Sequence, residues 1–158
     1  MKANAVGKKC TEADCAYVAG LVDGDGAIMA TIEPHNEKKF RFRVRIELKI
    51  TQKNERDLRF LPRLLGCGSV RTNRAVSDWI TRDQKAILEI LSIIRPYSRM
   101  KRRQIDIARK IIISPVRRYS DLLRVARLAD ALSRFNVRSK DRRKNHATMI
   151  EEHFSSND

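Results

Sequence analysis

Lys39-Phe40-Arg41-Phe42-Arg43-Val44-Arg45-Ile46-Glu47-Leu48-Lys49-Ile50-Thr51 alternates without a break: every even position is apolar, and every odd position from Lys39 to Lys49 except Glu47 is basic. Side chains along an extended chain point to opposite faces in turn, so this period of two describes one long strand with a core face and a cationic face. Neighbouring odd positions on such a strand lie roughly 6.6 Å apart, close to the rise of two base pairs. A sheet face of this kind suits a nucleic-acid groove.

The elements around it follow from caps and breaks. Upstream, Ala27 to Glu33 also alternates, with Ile28, Ala30 and Ile32 on one face and Met29, Thr31 and Glu33 on the other, and Pro34 ends the run. Before it, Thr11 is a helix N-cap with Asp14 three residues on, and the helix runs Ala13 to Val22 until Asp23-Gly24-Asp25-Gly26 stops it. Downstream, Asn54 to Leu65 reads as a helix with Pro62 as its weakest point. Ser69 to Asn73 and Val76 to Arg82 read as a hairpin around Arg74-Ala75, with Val70 and Trp79 inward and Arg71, Asn73, Asp78 and Ile80 outward. Asp83 caps a helix over Gln84 to Ile94, which Pro96 ends. The order helix, two strands, helix, two strands, helix places strands in adjacent pairs, which argues for an antiparallel sheet in an α+β fold. Three more helices are expected, over Arg99 to Ser114, Ser120 to Phe135 and Arg142 to Phe154. The chain reads as one domain, residues 1–158, with a core over about 11–113 and a C-terminal helical extension over about 114–158.

Composition narrows the class of partner. The formal charge is +15, from 34 Lys and Arg against 19 Asp and Glu, and 42% of the residues are apolar, so the chain is a folding polycation. Such a charge suits a polyanion, because each phosphate neutralised releases condensed counterions. No apolar run approaches the roughly 20 residues of a membrane span, and the start is too polar for a signal peptide, so an intracellular location is expected. Cys10, Cys15 and Cys67 are too few and too unpaired for a disulfide framework or a zinc site.

Ala16, Gly20 and Gly24 fall at i, i+4 and i+8 and leave one side of the first helix without bulk. A stripe of this kind lets two helix backbones approach closely. The helix then projects Asp23 and Asp25, whose oxygens suit a hard divalent cation. Two copies brought together by the stripe would set two such carboxylates side by side at a dimer axis.

Val18 to Gly26, VAGLVDGDG, resembles the motif of the LAGLIDADG homing endonucleases, and the order of elements from about Thr11 to Ile113 resembles that family as well. The resemblance implies a saddle-shaped four-stranded antiparallel sheet in an αββαββα core. It implies that Asp25 binds Mg²⁺ with Gly24 beside it, that Asp23 stands at the earlier acidic position, more often structural, near the helix end, and that Gln52, Arg56 and Lys101 line the catalytic pocket; Thr51-Gln52-Lys53 with Arg56, and Met100-Lys101-Arg102-Arg103-Gln104, match the segments that carry them. A single motif implies a homodimer meeting through Ala16, Gly20, Leu21, Asp23 and Gly24. The implied partner is a long, nearly palindromic double-stranded DNA, with no membrane and no small-molecule substrate. The implied reaction is Mg-dependent hydrolysis by metal-activated water, once on each strand, leaving short 3′ overhangs.

The strand faces then supply the readout. Arg41, Arg43, Arg45, Lys49 and Arg71 suit guanine edges or phosphates, and Glu33, Asn73 and Asp78 suit adenine or cytosine edges. Met29, Thr31, His35, Lys39, Glu47 and Ile80 complete that face, while Arg138, Lys140, Arg142, Arg143 and Lys144 suit phosphates. Three other readings share the charge: an intron-encoded RNA maturase or a non-cleaving DNA-binding regulator on the same fold, and a general RNA-binding protein. Asp25 favours the nuclease over the maturase without excluding both activities, a regulator should bind one operator and leave it intact, and the small-residue stripe disfavours the third.

Overall fold

The computed structural model describes residues 10–136 and 145–156. Helix α1 (Glu12–Asp25) begins with a reciprocal cap: the Thr11 hydroxyl accepts from the Asp14 amide at 3.2 Å, and Asp14 Oδ2 accepts from the Thr11 amide at 3.0 Å. The pair satisfies donors that a helix start leaves unpaired. No loop separates α1 from strand β1 (Gly26–Pro34). Gly26 donates its N–H to the Val22 carbonyl, and a Cβ at Gly26 would lie 2.6 Å from both Cα and O of Val22. Only glycine lets the chain turn so tightly against the helix it has just left.

β1 pairs antiparallel with β2 (Phe42–Gln52), from Gly26 opposite Ile50 to Pro34 opposite Phe42. Two further strands, β3 (Ser69–Asn73) and β4 (Val76–Thr81), complete a four-stranded antiparallel sheet of order β1-β2-β4-β3. A 3-10 turn (Glu55–Leu58) and a short helix α2 (Leu61–Leu65) connect the two hairpins, and α3 (Gln84–Ile94), α4 (Arg102–Ile113), α5 (Tyr119–Asn136) and α6 (His146–Ser155) follow the sheet. The expected αββαββα order is therefore present, with helices beyond it.

Every described helix lends residues to one apolar cluster against the inner sheet face. Ile28, Ile46, Leu48, Ile50 and Trp79 belong to it with Val18 and Val22 of α1, Leu61 and Leu65 of α2, Ile87 and Ile90 of α3, Ile105 of α4, Val125 of α5 and Ile150 of α6. Burying each such aliphatic side chain contributes about 1.5–3 kcal/mol. Polar pins fix the layers. Gln84 accepts from the Ile46 amide at 2.9 Å and donates to its carbonyl at 2.8 Å, which satisfies β2 where β4 has ended. Asp130 of α5 accepts from the amides of His146 and Ala147, capping α6 from a neighbouring helix.

Three expectations change. The strand predicted from Lys39 begins only at Phe42: Arg41 has a φ of 59°, and its carbonyl accepts from the His35 amide, so Lys39, Phe40 and Arg41 belong to the turn between β1 and β2. The helix predicted over Asn54 to Leu65 is split, because Pro62 has no N–H to donate and sits in the first turn of α2, where no donor is needed. The last helix starts at His146; Arg138, Lys140, Arg142, Arg143 and Lys144 lie outside the described residues. The three cysteines are free thiols as expected, with Cys15 Sγ donating to Cys10 Sγ at 3.0 Å; burial and this neighbouring thiol push Cys10 up to about 12. Among the described residues no helix is long and apolar enough to cross a membrane.

Gly26→Ala should lose about 1–3 kcal/mol of stability through overpacking against Val22, as read by urea unfolding. Acid should also weaken the fold. The Arg95 guanidinium donates to both oxygens of Asp106 at 2.5 and 2.9 Å and holds that carboxyl below its ordinary value. The backbone N–H groups of Arg118 and Arg117 do the same for Asp121, against the opposing pull of burial. A carboxyl depressed on folding adds stability above its unfolded value and loses it as the pH falls through the folded one. The melting temperature is expected to drop below about pH 4, and Asp106→Asn should make that drop shallower.

Candidate active site and nucleic-acid interface

Residues opposite one another in an antiparallel ladder project from the same face. The register sets Met29 against Glu47, Thr31 against Arg45 and Glu33 against Arg43. It sets Lys49 against Ile80 and Thr51 against Asp78, and Arg71 against Asp78 and Asn73 against Val76. All of these share the face turned away from the core, as the alternation predicts. Lys39 and Arg41 do not, since they lie in the turn, where the Lys39 ammonium donates to the Arg117 carbonyl at 3.0 Å. His35 sits in the same turn.

Most charges on this face are held in pairs. Glu33 accepts from Arg43 Nε at 2.9 Å and from Arg43 Nη2, with Arg45 Nη2 at 3.5 Å, and the Arg43 hydrogen bond keeps its carboxyl below the usual range. Asp78 accepts from the Thr51 hydroxyl at 2.5 Å and lies 4.0 Å from the Lys49 ammonium. Glu47 accepts from Arg82 Nε at 2.5 Å. Arg82 and the exposed Val76 therefore belong to the face too; the parity of Asp78 and Ile80, extended by two residues each way, was the signal for both.

The ladder between β1 and β2 ends at Gly26 and Ile50, so Asp25 and Gln52 meet just beyond it. Gln52 Nε2 donates to Asp25 Oδ2 at 2.7 Å. The Lys101 ammonium donates to the backbone carbonyl of Asp23 at 2.6 Å, which places it two residues from Asp25. The structure thus gathers Asp25, Gln52 and Lys101 at one end of the sheet. Arg56 is not among them: its guanidinium is exposed, has no hydrogen-bond or ion-pair partner among the described residues, and borders a shallow cleft with Asp14, Arg59, Phe60 and Arg63.

Asp23 and Asp25 have opposite surroundings. Asp25 and Gly24 are exposed, whereas Asp23 is 8% exposed. The Asp23 carboxylate accepts from Ser98 Oγ at 2.5 Å and from the amides of Arg99, Met100 and Lys101 at 2.7, 3.1 and 3.1 Å. Burial, the largest single influence, acts to raise this carboxyl; the four hydrogen bonds together outweigh it and hold it below the ordinary value. This inward turn corrects the expectation that Asp23 faces a second subunit, because its side chain is spent within its own chain.

The other expected interface residues are divided. Ala16, Gly20 and Gly24 are exposed, next to Tyr17 at 59% exposure, while Leu21 is half-buried against the core. A Cβ at Gly20 or Gly24 would meet nothing within 4 Å. Glycine within a helix costs roughly 0.5–1 kcal/mol relative to alanine, and nothing inside the subunit uses the space these two leave. Tyr17, which stacks at 5.8 Å on Phe60, widens the stripe to an apolar surface that the small-residue spacing alone does not reveal.

Oxygen donors at Asp25 and Gly24 suit a hard cation such as Mg²⁺, which binds through one or two carboxylates and takes its other ligands from water and phosphate. Among the described residues no three His, Cys, Asp or Glu side chains cluster as a metal site.

The architecture is an α+β domain whose helices cover one face of a four-stranded antiparallel sheet and leave a charged face open, and comparison with known proteins gives it a family. Residues 18–113 match the family model described as LAGLIDADG endonuclease. The chain belongs to that family. It is 37% identical over 99 residues to the DNA endonuclease I-CreI of Chlamydomonas reinhardtii, a match that spans 61% of this chain and 60% of that protein. To the DNA endonuclease I-CvuI of Chlorella vulgaris it is 32% identical over 120 residues, 73% of this chain and 74% of the relative. The crystal structure of I-CvuI with the I-CreI target DNA superposes with a TM-score of 0.81 at 27% identity, covering 92% of this chain and 94% of the other. An archaeal intron-encoded homing endonuclease, I-Vdi141I, shares the fold at a TM-score of 0.75 and 18% identity, over 89% and 96% of the two chains.

Gly20→Leu is expected to leave the subunit folded, with an unchanged or raised melting temperature in thermal unfolding, because a side chain there meets open space.

Proposed function

We propose that the protein is a site-specific homing endonuclease that acts as a homodimer and cuts both strands of a long, nearly palindromic DNA duplex inside the cell. The observation that carries this reading is the meeting of Asp25, Gln52 and Lys101 at the end of a sheet whose outer face is rich in paired and unpaired cations. Its family membership and its similarity to proteins named DNA endonucleases support the same conclusion.

The exposed stripe of α1 brings two copies together, and a two-fold axis there sets one Asp25 beside the other. Asp25, with Gly24 alongside, would hold the divalent ion, Mg²⁺ in this proposal. When bound, such an ion polarises a phosphoryl oxygen and lowers the pKa of a nearby water. Gln52 fixes the Asp25 carboxylate through Oδ2, leaving its other oxygen for the ligand. The Lys101 ammonium faces the charge that builds on the phosphate, where a preorganised cation in a water-poor site is most effective. Arg56 stands apart from this cluster, on the cleft with Arg59 and Arg63, and would instead serve a neighbouring backbone phosphate.

The sheet face supplies register and specificity. Arg43, Arg45, Lys49, Arg71 and Asn73, together with Glu33 and Asp78, present donors and acceptors to base edges in the major groove. Lys39 and Arg41 approach from the turn and are better placed for backbone phosphates. Cutting across the axis leaves short 3′ overhangs.

A plasmid carrying candidate intron-less host-gene junctions tests the reading: a single double-strand break in Mg²⁺ is expected, and intact plasmid at every junction counts against it. Asp25→Asn should keep site binding in a gel shift and lose cleavage; wild-type cutting by this variant would remove Asp25 from the reaction. Gln52→Ala should raise the Mg²⁺ concentration needed for half-maximal cutting by about 10–100-fold, the usual cost of losing a hydrogen bond behind a metal ligand.

A further inference from the structure

We propose that Asp23 is a positioning residue that fixes the Lys101 ammonium relative to the Asp25 carboxylate, by tying the end of α1 to the start of α4. The functional part of this inference rests on the endonuclease reading above; the tie itself does not.

The two helix ends complete one another. Lys101 is the N-cap residue of α4, and its own side chain makes no capping hydrogen bond. The amides of the turn that enters α4 would be left without acceptors, and the Asp23 carboxylate supplies them from a different helix. In return, α1 has no basic residue in its last turn, and the Lys101 ammonium donates to a carbonyl there, that of Asp23 itself. An anion at a helix N-terminus and a cation at a helix C-terminus are each favourable, so the exchange is favourable in both directions.

One residue, Lys101, is thus held to Asp23 at two points, by its amide and by its ammonium, across 78 positions of sequence. Asp25 follows Asp23 by two residues and is locked in turn by the Gly26 contact with Val22 and by Gln52. The distance between the Lys101 charge and the Asp25 carboxylate is therefore set by the Asp23 hydrogen bonds. A motif carboxylate that is buried and fully engaged, beside one that is exposed and open on one oxygen, divides the labour: Asp23 holds the site and Asp25 meets the ligand.

The test is a double-mutant cycle on single-turnover plasmid cleavage, using Asp23→Asn, Lys101→Ala and the two together, with binding followed by gel shift in EDTA. Asp23→Asn keeps the shape of the side chain but presents an amide to the donors of residues 98–101. It should bind DNA within about twofold of wild type and cut about 10²-fold more slowly, the scale on which small misplacements act. The double variant should be no slower than Lys101→Ala alone, because Asp23 acts through Lys101. If the two losses multiply, or if Asp23→Asn cuts like wild type, the inference is wrong while the endonuclease reading stands. Ser98→Ala, which removes one of the four donors, carries the same cycle if Asp23→Asn does not fold. Hydrogen exchange reads the tie without any cleavage: the amides of Arg99, Met100 and Lys101 should lose protection in Asp23→Asn while those of β1 and β2 keep theirs. Unchanged protection at all three amides overturns the proposal even for a protein that proves not to cut DNA.

Discussion

The contact of Gly26 with the backbone of Val22 governs the end of the sheet where the candidate site lies. Because helix becomes strand within one residue, Asp25 has no loop in which to wander, and the register of β1 with β2 delivers Gln52 to it. The same contact aims α1. One side of the helix enters the core through Val18, Ala19 and Val22, and the opposite side, with Ala16, Tyr17, Gly20 and Gly24, stays open. A helix apolar on both sides is poorly matched to a monomer in water. Its composition suits the proposed dimer, in which one side would serve folding and the other assembly, with Asp25 at the end where the two meet.

Much of the architecture was legible because its signals are local. Period-two alternation gave β1 and most of β2, Thr11 with Asp14 marked the start of α1, and Asp83 marked the start of α3. The reading failed where alternation or helical spacing continued past the point at which the backbone changes. Phe40 keeps the even-apolar pattern yet lies in a turn, because nothing in that pattern encodes the positive φ of Arg41. Leu58, Leu61 and Leu65 keep helical spacing across a break at Arg59 and Phe60, since a short 3-10 turn and a following helix can bury the same side.

The site was legible in part for a similar reason. Asp25, Gln52 and Lys101 follow from a motif and its order, and the structure brings them together. The resemblance marks Asp23 as the more structural acidic position, but its partners were not legible, because they lie at Ser98 to Lys101 and three of its four hydrogen bonds come from backbone amides, which carry no sequence signature. Arg56 shows the converse: a residue in the right place in the motif whose guanidinium is directed to no partner in the isolated subunit.

If the protein is the endonuclease proposed above, the pairing of charges on the outer sheet face bears on how it would search a genome. Cations clasped by Glu33, Glu47 and Asp78 are partly neutralised, so a random duplex gains less from them than their number suggests. The clasp opens at a profit only where a base edge offers each partner a replacement, the guanidinium finding acceptors and the carboxylate a donor. Wrong sequences then meet a surface that is already satisfied, and the dwell time on them shortens. The acidic residues on this face, which lower its total charge, speed the search by making most encounters brief.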